Sequence, residues 1–344
     1  MAQRMLLGLI AAILILPCSA QQDVGAGPYK VLRTVKAGGD GGYDYVYADA
    51  AARKLYIPRL GPNGQITVFD LDTLKPAGEI TNTNAHGVAV DSASHHGFAS
   101  SKPVAMWDSN TLAPIKTIDV QGEPDGILSD AYNGRIYILS HEAPNATVID
   151  AKDGTVVGTI DLGGEPEQAV SDGNGHIYID IEDKGNIAVV DAKTLKVKEH
   201  YDLQGKGAGC AGLAMDVKNN ILFAACRKPQ TMVILSALDG KVLETIPIGS
   251  GTDGATFNPQ TMEAFTTLGE GTLAVVKENG PTSFSLEQTL KTLPRARTIT
   301  LDLKTGRIFT ITAEFGPPPP LAPGEKWSRP PMIPGTFTIL EIVK

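Results

Sequence analysis

Cysteine is scarce, three in 344 residues, which excludes a small fold held together by a disulfide framework. Positive charge is not in excess either. Thirty Lys and Arg face 38 Asp and Glu, and a net charge of −8 argues against a phosphate-backbone partner, so no nucleic acid is expected. Mean hydropathy is −0.03, which excludes a multi-span membrane protein. Reaction signatures are missing as well: no Gly-rich phosphate loop, no nucleophile elbow, no haem-attachment CxxCH and no HExxH. The glycines of Gly38–Gly42 precede a strand pattern rather than a helix, so they are no dinucleotide fingerprint. Beyond the first segment no stretch carries a helical period. What is present is 42% apolar residues, too many for a disordered chain, with 37 Gly and 23 Pro.

Residues 1–20 read as a signal peptide. Arg4 gives a positive start, Met5–Leu16 is an apolar run short for a membrane span, Pro17 breaks it, and Ser19-Ala20 offers small residues for cleavage. An uncleaved N-terminal anchor is the competing reading; a lipoprotein site at Cys18 fits poorly with Pro17 before it. Export to a periplasm or the extracellular space is therefore expected, with no membrane span in the mature chain. Loss of Arg4 makes the net charge one unit more negative, and only Cys210 and Cys226 remain, in an oxidising compartment.

A repeat organises residues 21–344 as a single domain. Apolar runs end in Asp49, Asp91, Asp130, Asp172, Asp216, Asn258 and Asp302, spaced 42, 39, 42, 44, 42 and 44 residues apart. Each is followed by a turn and a strand bearing an aromatic: Tyr56, Phe98, Tyr137, Tyr178, Phe223, Phe265 and Phe309. A third strand and a fourth complete the unit, as in ATVID then TVVGTIDL after Asp130. Short strands rich in β-branched residues, punctuated by Asn-Gly and Asp-Gly, in seven units of this size predict a seven-bladed β-propeller. The seventh unit stops after its third strand at Lys344. Tyr29–Gly38 resembles the fourth strands of the other units, so the mature N-terminus is expected to complete the last blade and close the ring.

The units resemble the YVTN-type β-propeller repeat family, to which exported bacterial YncE-like proteins belong. The residues that carry the resemblance are Leu55–Ile57, Arg135–Ile138, His176–Ile179 and, closest of all, Thr147–Pro166. It covers essentially the whole mature chain. The last three units drift, with Ser236 and Lys277 where the first four have Asp70, Asp108, Asp150 and Asp191. The resemblance implies a propeller. For function it implies a binding platform, a scaffold or, in some cases, an enzyme.

Repetition provides an internal control for locating a site. Positions that recur serve the blade: the Asp closing each inner strand should bond the amides of the next turn, and the aromatics should be core. Positions that vary at one mouth of the channel are free to serve function. The starts of the inner strands carry Asp44, His86, Asp125, Glu167, Ala211, Asp253 and Arg297. Such convergence suits a cation, a polar ligand or acid–base chemistry, and Asp44, His86, Asp125 and Glu167 suit a divalent metal held by mixed N/O ligands. The plain alternative is residues that cap entry turns and line a hydrated channel, Asp125 and Asp253 each preceding a Gly.

The loops between second and third strands fall on the same face and add Arg59, His141, Glu142, Glu182, Asp183, Arg227, Lys228 and Glu270. His86 and His141 are the candidate acid–base groups. Arg59, Arg227 and Arg297 could hold an anion bidentately or simply pair with the neighbouring acids. Hairpin pairing brings Cys210 and Cys226 to one height, as a disulfide or, alternatively, a thiolate pair on a soft metal. The insertion 313–336 contains eight prolines where other blades use a short loop. It reads either as a lid or docking arm anchored by Phe315 and Trp327, or as a tolerated surface insertion. The expected function is binding of a small ligand or protein partner over the channel mouth. The rivals are a metal-dependent, lactonase-like hydrolase or lyase and a scaffold in an envelope assembly.

Overall fold

The computed structural model describes residues 25, 27–321, 328 and 330–344. Residues 1–20, expected to be a signal peptide, and Trp327 lie outside the described residues. All regular structure among the described residues is β. Seven four-stranded antiparallel sheets follow one another along the chain. Their inner strands are Tyr47–Asp49, Ala85–Asp91, Pro124–Asp130, Pro166–Ser171, Ala208–Asp216, Thr252–Asn258 and Arg297–Asp302. Each inner strand touches the next, and the seventh touches the first, so the sheets form a closed seven-bladed propeller.

The seventh blade is completed as the repeat count predicts. Lys30–Lys36 pairs antiparallel with Thr338–Val343, with Lys36 opposite Thr338 and Lys30 opposite Val343. That leaves the last sheet with the same four strands as the others and joins the two ends of the chain within one blade.

The recurrent residues do what their periodicity implies. Side-chain oxygens of Asp49, Asp91, Asp130, Asp172, Asp216, Asn258 and Asp302 accept hydrogen bonds from backbone amides of the following turn. The second-strand aromatics are buried, Tyr178 at 4% exposure being the most accessible. They fill the spaces between neighbouring sheets, as Phe223 does beside Phe257 of the next blade, the two rings stacked with their centres 5.3 Å apart.

The joint between the first and last blades carries an ion network. Arg53 holds Asp302 and Asp72, each at 2.7 Å, and Arg307 bonds Glu341 at 3.0 Å while also reaching Asp72. Arg33 of the N-terminal strand closes on the same Glu341. The Asp302 and Glu341 side chains are 0% and 1% exposed, so these arginines neutralise carboxylates that water does not reach. Cys210 and Cys226 face each other in register across the fifth blade's first hairpin and form a disulfide. Both are buried in the core cluster between the fourth and fifth blades.

Candidate functional site at the channel mouth

A register shift near the start of the inner strand recurs in six blades. It falls between Ala85 and Val88, Pro124 and Ile127, Pro166 and Ala169, Cys210 and Gly212, Thr252 and Ala255, and Arg297 and Thr300. Such bulges re-aim side chains. His86, Asp125, Glu167 and Asp253 sit inside them. Asp125 and Asp253 are thus bulge residues within a strand, not residues of simple entry turns. The following glycine has its own cause: a Cβ on Gly126 would lie 2.2 Å from the carbonyl oxygen of Glu167, and one on Gly212 2.7 Å from the Gly254 backbone. Neighbouring inner strands approach too closely there for a side chain.

The bulges, together with one second-third strand loop and the end of one second strand, surround a polar cavity of about 250 Å³. Asp44, His86, Asp125, Glu167, Asp253 and Arg297 line it, joined by His141 from a loop, by Arg227 near the end of the second strand Ile221–Lys228, and by Glu123 and Pro124. Arg59 is not among them. It is 3% exposed, stacked on Phe337 with its guanidinium 3.3 Å from the ring centre, and donates to the Gly38 carbonyl at 3.0 Å. Nor does the structure bring in Glu142, Asp183, Lys228 or Glu270. Asp183 accepts from the Glu165 amide and pairs with Lys184, and Glu270 accepts from the amide and hydroxyl of Ser250.

The cavity has two halves. In the first, His86 Nδ1 lies 2.8 Å from Asp44 and 3.0 Å from Asp125, and His141 Nε2 lies 3.3 Å from the other Asp125 oxygen. Two trios result, Asp44–His86–Asp125 and Asp125–His141–Glu167, each with its donor atoms within 4.8 Å of one another. The four residues expected to act together as ligands are thus divided, with Asp125 shared and Glu167 grouped with His141. In the second half Asp253 is held by Arg297 at 2.9 Å and Arg227 at 3.4 Å, while Arg227 also binds Glu182.

Burial and like charge set the protonation states. Glu167 is 9% exposed. Burial, then the charge of Asp125 and a hydrogen bond with Glu182, push its pKa up to about 10, so it is a neutral acid at pH 7. Burial raises Asp253 to about 6, the two arginines opposing part of the rise. For His86 burial works downward, but the hydrogen bonds to Asp125 and Asp44 outweigh it and raise the imidazole to about 10.

Several residues that the repeat pattern did not single out build the floor. Tyr45 reaches across from the first blade and donates to the Glu167 carboxyl at 2.9 Å. Gln168 reaches from the fourth blade to the fifth and sixth, accepting from the Leu213 and Ala255 amides at 3.0 and 2.9 Å and donating to the Ala255 carbonyl at 3.0 Å. The Gln168 amide in turn donates to buried Asp180 at 2.6 Å, whose carboxyl is pushed up by burial to about 8. Tyr45 and Gln168 adjoin Asp44 and Glu167 in sequence, which is the one signal that could have found them. Asp180 stands within a second strand otherwise made of Ile and Tyr after its opening His176, and an acid there is legible as an exception.

Chemically, the first half offers imidazole nitrogens and carboxylates to a cation, and the second offers guanidinium groups to an anion. A scan of the chain against protein-family models finds no match, and neither does a search of curated proteins.

Proposed function

We propose that the protein is an exported binding propeller of the YVTN-like kind that takes up a divalent cation, together with a polar ligand, at the channel mouth. The observation that carries this reading is the pair of His–carboxylate trios sharing Asp125. Mixed imidazole and carboxylate donors favour a first-row cation such as Zn²⁺ or Mn²⁺ over Ca²⁺. A cation in either trio uses Asp125 and replaces the proton that His86 or Glu167 otherwise holds, so binding releases protons and strengthens as pH rises. Export is supported by the character of residues 1–20 and agrees with the disulfide.

The rival reading, a metal-dependent hydrolase or lyase, asks His86 or His141 to exchange a proton near neutrality, and the structure speaks to His86. Its place between two aspartates keeps it protonated to about 10, which suits charge balance better than general-base work.

The test is calorimetric titration of the chelator-treated full chain with Zn²⁺ and Mn²⁺. Stoichiometric binding is expected in the wild type. It should be abolished by Asp125→Asn and weakened by Asp44→Ala and His86→Ala. Absence of binding in the wild type, or unaltered binding in Asp125→Asn, contradicts the reading.

A further inference from the structure

Beside the arginine half of the mouth lies a second, larger cavity of about 790 Å³, within the range of small-molecule sites. One wall is the proline arm, which contributes Phe315, Pro331 and Met332. This wall is built in advance. The base of the arm is a small ladder: Gly316 N donates to Pro331 O at 2.9 Å and Ile333 N to Glu314 O at 2.8 Å. Gly335 N ties it to the Gly39 carbonyl at 3.0 Å, and the same glycine segment is fastened to Leu60 through Gly42 by bonds of 2.8 and 2.9 Å.

The lining also presents Arg227, Arg295 and Arg297. The carboxylates facing them are Asp40 and Asp253 in the lining, Asp44 at 4.0 Å from Arg297, and Glu182 behind Arg227. Arg227 and Arg297 share Asp253. Arg295 instead lies against the Phe315 ring, its guanidinium 4.5 Å from the ring centre, and makes no ion pair with another described residue. A guanidinium that sits over an aromatic ring and has no carboxylate partner keeps its N–H donors available to a carboxylate.

We propose that this cavity binds a small anionic molecule with a flat apolar body, an aromatic carboxylate in chemical class, its carboxylate on Arg295 and its ring against the arm. The apolar wall supplies burial for the ring, and the arginine side supplies the charge complement. The proposal deepens the binding-platform reading by naming a ligand class, and it rests on that reading but not on the cation.

The experiment titrates the full chain, in chelator, with naphthoate, naphthylmethanol and naphthylmethylammonium, which share a ring and differ in charge. Naphthoate should bind tightest and the ammonium weakest. Arg295→Gln should weaken naphthoate about tenfold, the scale of one charged hydrogen bond, and leave naphthylmethanol unchanged. Phe315→Ala should weaken both. Failure of all three to bind, an ammonium affinity equal to that of naphthoate, or a naphthoate affinity unmoved by Arg295→Gln each overturns the proposal. Asp125→Asn should bind naphthoate normally while losing Zn²⁺, so failure here and failure of the cation reading are separately visible.

Discussion

Replacing Glu167 by Gln should stabilise the protein, and by an amount that grows with pH. The Glu167 carboxyl has its folded-state pKa raised from 4.5 to about 10, by burial first and by Asp125 next. Between those two values the folded chain holds a proton that the unfolded chain has released. Its contribution to stability is therefore complete below 4.5 and is lost progressively as pH rises toward 10. Each pH unit in that window costs about 1.4 kcal/mol, which bounds the penalty at about 3 kcal/mol at pH 7. Water entering from the mouth reduces it, so a gain of about 1 to 3 kcal/mol is expected for the variant at that pH.

The introduced glutamine would keep the contacts, its side-chain carbonyl accepting from Tyr45 and its side-chain amide donating toward Glu182. The assay is urea unfolding of wild type and Glu167→Gln in chelator at pH 5 and pH 8, with slopes compared to confirm that only stability changes. The variant should gain over the wild type from the lower pH to the higher. A variant equally or less favoured at pH 8 than at pH 5 would refute the assignment of Glu167 as a buried neutral acid.

The ring joint and the hairpin staple give two further predictions. Arg53→Ala leaves the Asp302 side chain, 0% exposed, with Arg307 at 3.7 Å as its remaining cationic partner among the described residues, and should cost about 3 kcal/mol, whereas Asp72→Asn at the half-exposed end of the same network should cost under about 1 kcal/mol. Equal costs in urea unfolding would show that burial of Asp302 is not what matters. The Cys210→Ala, Cys226→Ala double variant opens a link between residues 16 apart and should lose about 3 kcal/mol; an unchanged unfolding midpoint, or two titratable thiols in the unfolded, unreduced wild type, would contradict the disulfide.

The blades were legible because their determinants are local. The Asp that caps a turn and the aromatic a few residues later act within one hairpin, so their period is the period of the fold. Ring closure was legible by subtraction, from a last unit without a fourth strand and an N-terminal segment that looks like one. At the site, Asp44, His86, Asp125, Glu167, Asp253 and Arg297 stood out because they vary where the repeat is otherwise constant. Their grouping did not. That His141 joins Glu167, and that His86 sits between Asp44 and Asp125, depends on the bulges and on how closely adjacent inner strands approach. Arg59 was misplaced for a related reason: Phe337, at the end of the arm and far along the chain, lies on its guanidinium and takes it out of the mouth. Gln168 and Tyr45 were hidden because their partners lie on other blades, the fifth and sixth for Gln168 and, across the channel, the fourth for Tyr45.

The central claim is that the trios around Asp125 hold a divalent cation. It is tested most directly by anomalous diffraction from crystals of the full chain soaked in Mn²⁺. The account predicts an anomalous peak in the channel mouth about 2 to 2.5 Å from an Asp125 carboxylate oxygen, absent from Asp125→Asn crystals. A map with no peak in the mouth, or with Mn²⁺ bound only elsewhere on the surface, would contradict it.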